Sequence, residues 1–198
     1  MILRKLSIEG AYISSHKIHC DNRGYFREWF KNEEPNPSFQ NFEVQQANFS
    51  KSKKWVIRGI HYSLAPKGQE KIVTCVGGEI IDVLVDLRIG SSSFLAIEYV
   101  NLKEDNGDVI FIPNGVGHGF IVISNSASVV YLTSSTYSPN FERAIQPFDP
   151  ELGIKWALPE GTQGLLSIND EQAPSLAEIT RQKQLPIFVD RKINDNSN

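Results

Sequence analysis

The chain has 198 residues, 40% of them hydrophobic and 22% charged, with a formal net charge of −3. That length carries one sizeable core or a core with an appendage, and the mild negative charge gives no electrostatic case for nucleic acid or an anionic membrane. Two cysteines, Cys20 and Cys75, with no Cys-x-x-Cys pair exclude a disulfide framework and cysteine-rich zinc sites.

Taken in order, the sequence reads as short strands fenced by turn residues. Ile2, Leu6, Ile8 and Ile13 are spaced by polar residues. Asp21-Asn22-Arg23-Gly24 is a turn signal, and 25–30 is an aromatic strand. Residues 31–41, with Pro35 and Pro37, read as a loop. Strands rich in Val, Ile, Phe and Tyr follow at 42–49, 55–62, 70–76, 79–87, 94–102, 109–112, 119–123 and 128–133. Lys51-Ser52-Lys53-Lys54 reads as a solvated basic turn, and Gly77-Gly78 divides two strands at hairpin spacing. The nearly continuous apolar run from Ile80 to Asp86 implies a strand covered on both faces. Strands at this spacing indicate an all-β sandwich or barrel. Beyond Pro147 the character changes: a polar turn at Ser167–Asp170 precedes a helical pattern capped by Ser175, and the tail at 194–198 is expected to fray. One domain over 1–198 is expected, with a core to about 146 and an appendage over 147–198. Met1–Leu6 lacks the apolar centre of a signal peptide, and no apolar run nears membrane-spanning length. A cytoplasmic protein is therefore expected.

One stretch demands partners. Val56-Ile57-Arg58-Gly59-Ile60-His61-Tyr62 places a cation and an imidazole in a strongly apolar strand, where polar groups are costly without partners. Regular alternation would put Arg58 with Ile60 on one face and Ile57, Gly59 and His61 on the other. Bringing Arg58 and His61 to one pocket requires some twist or a bulge at Gly59, or else Arg58 reaches around the barrel mouth to the ligand.

Gly107–His118 is similar to the cupin jelly-roll signature, a turn, a strand and a Pro/Gly corner ahead of an inward histidine. The matching strand offers only His61, and two histidines without a nearby carboxylate make a poor metal site, so no metal or other cofactor is expected. The resemblance then becomes specific. Asp21-Asn22-Arg23-Gly24 with Phe26 and Glu28, Arg58-Gly59-Ile60-His61-Tyr62, Gln69-Glu70-Lys71, Asp82–Arg88, Ile112–Phe120, Tyr131, Tyr137-Ser138-Pro139, Glu142 and Ser167–Asp170 occur in the order seen in dTDP-4-dehydrorhamnose 3,5-epimerases. The resemblance spans nearly the whole chain. It implies an all-β, cupin-like jelly roll of antiparallel strands with a short, partly helical C-terminal appendage. It also implies a metal-free enzyme that is a homodimer, and a dTDP-linked sugar as substrate.

That family's chemistry inverts C3 and C5 of a nucleotide-linked 4-keto-6-deoxyhexose, whose C3 and C5 protons are acidified by the C4 carbonyl. A base, an enolate stabiliser and an acid on the opposite face are needed. The resemblance implies His61 as base, Asp170 as its carboxylate partner, Tyr131 as the opposite-face acid and Lys71, with His118, at the C4 oxygen. It implies Arg58 and Arg23 on the pyrophosphate, Gln46 and Asn48 on sugar or ribose hydroxyls, Tyr137 on the base, Glu142 in substrate binding, and Phe26 with Glu28 reaching in from a partner subunit. The chain departs from the family pattern at Ser63 (usually glutamine), Leu132, Val116-Gly117 and Thr136. These departures leave open a single-carbon epimerase or a 3,4-ketoisomerase, and a non-catalytic nucleotide-sugar-binding cupin is the alternative from another class. Outside the motif, Asp82 and Asp86 are read as pairing with Arg88 or another buried cation, and His16 and His19 as structural.

Overall fold

A computed structural model describes residues 2–31, 42–64 and 68–189. Most of the loop expected over 31–41 and the polar tail at 194–198 lie outside these residues. The strands are β1 (Ile2–Lys5), β2 (Tyr12–Ser15), β3 (His19–Asp21), β4 (Gly24–Phe26), β5 (Gln46–Lys53), β6 (Ile57–Ser63), β7 (Lys71–Gly77), β8 (Glu79–Asp86), β9 (Ile97–Lys103), β10 (Asp108–Ile112), β11 (Val116–Val122), β12 (Ser126–Thr133) and β13 (Glu142–Ala144). Two short helices, α1 (Ile168–Glu171) and α2 (Leu176–Arg181), follow. Antiparallel pairing builds a six-stranded sheet, β1-β2-β10-β7-β12-β5, a five-stranded sheet, β13-β6-β11-β8-β9, and a separate β3-β4 ribbon.

Three apolar clusters follow from the two-residue period of the strands. Between the sheets lie Ile13, Val73, Cys75, Ile80, Leu84, Leu102, Ile110 and Phe120. Val83 and Val85 point the other way from β8 and meet Leu152, Leu176, Ile179 and Leu185 of the C-terminal segment. The strand expected to be covered on both faces is so covered. The outer face of the six-stranded sheet carries Ile72, Val109 and Phe111 against Phe42. Ser175 closes a capping box with Glu178 at the start of α2, which fixes that helix where its Leu176 and Ile179 are buried.

Several expectations need correction. Gly77-Gly78 joins β7 to β8, but these strands belong to different sheets, so the glycine pair is a corner and not a hairpin. Sequence spacing is the same in both cases. The choice rests on which face finds a partner. Gly78 has φ +74°, and a Cβ there would meet the Ser126 carbonyl oxygen at 2.1 Å. The aromatic strand expected over 25–30 survives only as Gly24–Phe26. Lys51 and Lys53 are not in a turn; they occupy the exposed face of β5.

The Arg58/His61 face problem has a clear answer. From His118 to Phe120, two residues along β11, the pairing on β6 advances three, from His61 to Arg58. One extra residue is inserted, a bulge, and the Gly59–Ile60 peptide there is cis. Ile57 and Ile60 become buried together, and Arg58 and His61 are exposed together. The glycine is required: at φ +111° a Cβ would fall 2.6 Å from Gly119 Cα and from the His118 carbonyl oxygen. We expect Gly59→Ala to destabilise the fold by about 1–3 kcal/mol, read as a lower urea midpoint.

Candidate active site

Between the sheets, the interior is apolar in one part and polar in the other. The polar part is a cavity of about 660 Å³ lined by residues that include Gln46, Asn48, His61, Lys71, Tyr131 and Glu142. Its size falls in the range of small-molecule sites, about 300–1,000 Å³. β6 and β13 supply His61 and Glu142 from the five-stranded sheet, while β5, β7 and β12 supply Gln46, Asn48, Lys71 and Tyr131 from the six-stranded sheet. His61 and Tyr131 therefore approach the cavity from opposite walls.

His61 Nε2 lies 2.6 Å from Asp170 Oδ1, across 109 residues of sequence. Asp170 sits in α1, where the N-cap Ser167 Oγ accepts from the Asp170 backbone N–H at 3.1 Å and donates to Oδ2 at 2.9 Å. Both carboxylate oxygens are thus held, and Asp170 is only 4% exposed. Burial pushes this carboxyl up, but the hydrogen bond and charge of His61, with Ser167 and Arg58, hold it below the usual aspartate range. An ionised carboxylate only accepts, so Nε2 carries a proton, and in the neutral ring the lone pair is left on Nδ1. The pair holds the imidazole in one tautomer.

Lys71 is 8% exposed. Burial lowers its pKa, while Glu142 and then Asp82 pull it back up. The Tyr131 phenol is shifted the other way: burial raises it, Arg58 lowers it and Glu142 raises it. Arg58 Nε donates to Ser52 Oγ at 3.0 Å, on the same face of β5 as Gln46 and Asn48. Gln46 is itself tied down, with Nε2 donating to Asn48 Oδ1 at 2.8 Å and Oε1 accepting from the Tyr137 backbone N–H at 3.0 Å.

A family model described as dTDP-4-dehydrorhamnose 3,5-epimerase matches residues 5–178. The chain is 41% identical over 187 residues to a dTDP-4-dehydro-6-deoxyglucose 3-epimerase from Streptomyces bikiniensis, covering 94% of each. It is 39% identical over 187 residues to a dTDP-4-dehydrorhamnose 3,5-epimerase from Streptomyces griseus, covering 94% of this chain and 92% of that one. The solved structure of NovW, a 4-keto-6-deoxy sugar epimerase from the novobiocin biosynthetic gene cluster of Streptomyces spheroides, matches with a TM-score of 0.89 at 40% identity, covering 95% and 94% of the two chains. The chain belongs to the dTDP-4-dehydrorhamnose 3,5-epimerase family. It is an isomerase, and its two-sheet fold is the cupin-like one shared with its structural neighbours.

Against this epimerase frame, the residues singled out from the sequence fall into three groups. His61, Lys71, Tyr131, Gln46, Asn48, Tyr137 and Glu142 line the cavity, with Asp170 directly behind His61. Arg58 and His118 do not line it, although Arg58 is near enough for its charge to act on Tyr131 and Asp170. His118 pairs with His61 across β11 and β6, but it is buried and its Nε2 is 2.8 Å from Asp82 Oδ2. Asp82 thus pairs with this histidine, and Arg88, the buried cation named from the sequence, pairs with Asp86. Arg23, Phe26 and Glu28 do not join the cavity within one chain: Arg23 pairs with Asp21, Glu28 pairs with Lys31, and Phe26 is 65% exposed on the ribbon. Among the described residues, no cluster of three His, Cys, Asp or Glu side chains comes together as a metal site.

Gln69, quoted in its motif without a role, also lines the cavity, as do Arg143 and Ala144, which no motif contained. The placement of Arg143 and Ala144 follows from β13 pairing with β6, Arg143 against Tyr62 and Ala144 against His61. A three-residue edge strand leaves no periodicity from which this could be read.

Proposed function

We propose that this epimerase inverts C3 and C5 of a dTDP-linked 4-keto-6-deoxyhexose of the dTDP-4-dehydro-6-deoxyglucose type. The observation that carries the reading is the fixed His61–Asp170 pair on one wall with the Tyr131 phenol on the other. A sugar ring lying between them has its α-proton facing Nδ1 of His61. That nitrogen takes the proton, and the new imidazolium is stabilised by the Asp170 carboxylate. Electrons move onto the C4 oxygen, where the Lys71 ammonium offers a buried positive charge that requires little reorganisation. Tyr131 then returns a proton to the opposite face of the same carbon, and the configuration inverts. The same cycle at the second flanking carbon completes the double epimerisation.

Arg58 binds the pyrophosphate, and Gln46, Asn48, Tyr137 and Glu142 take the hydroxyls and the base. His118 assists at the C4 oxygen from behind the wall. The protein acts as a homodimer, in which Arg23 and Phe26 of the exposed ribbon, with Glu28 just after it, complete the neighbour's cavity. Exposed Ile2 on the edge strand β1 and Phe26 itself support this arrangement.

Inversion at C3 alone is the second reading, favoured by the 41% identity to a 3-epimerase. One experiment separates them. With dTDP-4-keto-6-deoxyglucose in deuterated water, proton NMR is expected to show deuterium entering both C3 and C5. Exchange at C3 alone selects the second reading, and binding without exchange at either carbon refutes both for this substrate.

A further inference from the structure

Glu142 lines the cavity with Lys71 and Tyr131, and among the described residues it is the carboxylate whose charge acts on both, yet it stands on a three-residue strand at the edge of its sheet. What holds it is Ser63. The two residues are register partners, and Ser63 Oγ donates to Glu142 Oε1 at 2.6 Å. Ser63 is 2% exposed, and the chain at Gly68 closes over it so tightly that a Cβ there would fall 2.3 Å from the serine Cβ. Water cannot easily replace this hydroxyl, and a hydrogen bond to an ionised group in such a place is one of the strong ones. Ser63 is also where the chain departs from the glutamine usual at this position.

We propose that Ser63 is a positioning residue that keeps the Glu142 carboxylate facing the cavity it shares with Lys71 and Tyr131, and so sets how far into alkaline pH the cavity keeps its ammonium and phenol protonated. The inference rests on the reading of Lys71 and Tyr131 as reacting groups.

The groups around Lys71 fix the sign. Glu142 on β13 and Asp82 on β8 are the anions, and Asp82 is shared with His118 on β11. His61 on β6 and Tyr131 on β12 share the cavity, and Arg58 is the cation acting on Tyr131. The Arg143 guanidinium beside Glu142 is tethered by Nη1 to the carbonyls of Asn140 and Glu142, at 3.1 and 2.8 Å. Without the serine hydroxyl, Glu142 loses its fixed orientation and its negative charge can turn away from the cavity. Lys71 and Tyr131 both then release their protons at lower pH.

The test uses the full-length protein with ¹³C-labelled lysines. The Lys71 resonance, assigned by its loss in Lys71→Arg, reports titration in the absence of substrate. In Ser63→Ala and Ser63→Val we expect the Lys71 titration to fall by about one pH unit, tenfold in proton affinity, and the alkaline limb of kcat/KM to fall with it. Ser63→Thr has the shape of valine but keeps a hydroxyl, and is expected to titrate like the parent. Unchanged Lys71 titration in both hydroxyl-free variants, or an equal fall in threonine and valine, overturns the proposal. A shifted Lys71 titration with an unmoved alkaline limb leaves Ser63 as the positioning residue and refutes the role of Lys71 in the reaction.

Discussion

His61→Ala is expected to lower the rate of deuterium uptake at C3 and C5 by about 10²–10⁴-fold, the usual contribution of a positioned general base. Substrate affinity should change little, because His61 is one lining residue among many and its side chain is 47% exposed. Calorimetric titration with the substrate, run beside the exchange assay, separates the two effects. Undiminished exchange in the alanine variant would remove His61 as the base. The dyad also predicts where acid acts. Asp170 has a folded pKa below its unfolded value, so the stability that it contributes is fully present above about pH 4 and is lost only as pH falls through the lowered value. Activity lost between pH 8 and pH 5 therefore cannot be assigned to protonation of Asp170.

Much of this site was legible because its polar groups violate a local rule. An arginine and a histidine in the apolar strand at Ile57–Ser63 called for partners, and the glycine between them marked where the ladder had to slip. The strands themselves were visible from Val, Ile and Phe runs fenced by Gly, Pro and Asn. Their assignment to sheets was not, since Gly77-Gly78 suits a hairpin and an inter-sheet corner equally. The Asp170 partner lies 109 residues from His61, and no periodicity reaches that far. Only the family resemblance pointed to it. Arg143 and the Ser63–Glu142 bond stayed hidden because β13 is too short to show alternation. Arg23 and Phe26 lie on the exposed ribbon and Glu28 just beyond it, away from the cavity, so nothing in the fold of one chain bears on the roles that the resemblance implies for them.

Tyr131→Phe separates the two halves of the reaction. The phenol packs against the inter-sheet core on one side and borders the cavity on the other. Removing its oxygen keeps the ring's apolar contacts and deletes only the proton donor. Burial holds the Tyr131 pKa above that of an ordinary tyrosine, so the phenol remains protonated through the neutral range and is available as an acid. His61 and Asp170 on the opposite wall are untouched by the change. The variant is therefore expected to keep removing the α-proton and returning a deuteron to the same face, giving exchange with retention. Inversion should fall by about 10²-fold or more, while exchange should fall far less. Proton NMR follows both, exchange as loss of the C3 and C5 signals and inversion as the appearance of product couplings. Inversion and exchange falling in parallel would mean that Tyr131 acts before or during proton removal, and would move the acid role to another group on the same wall.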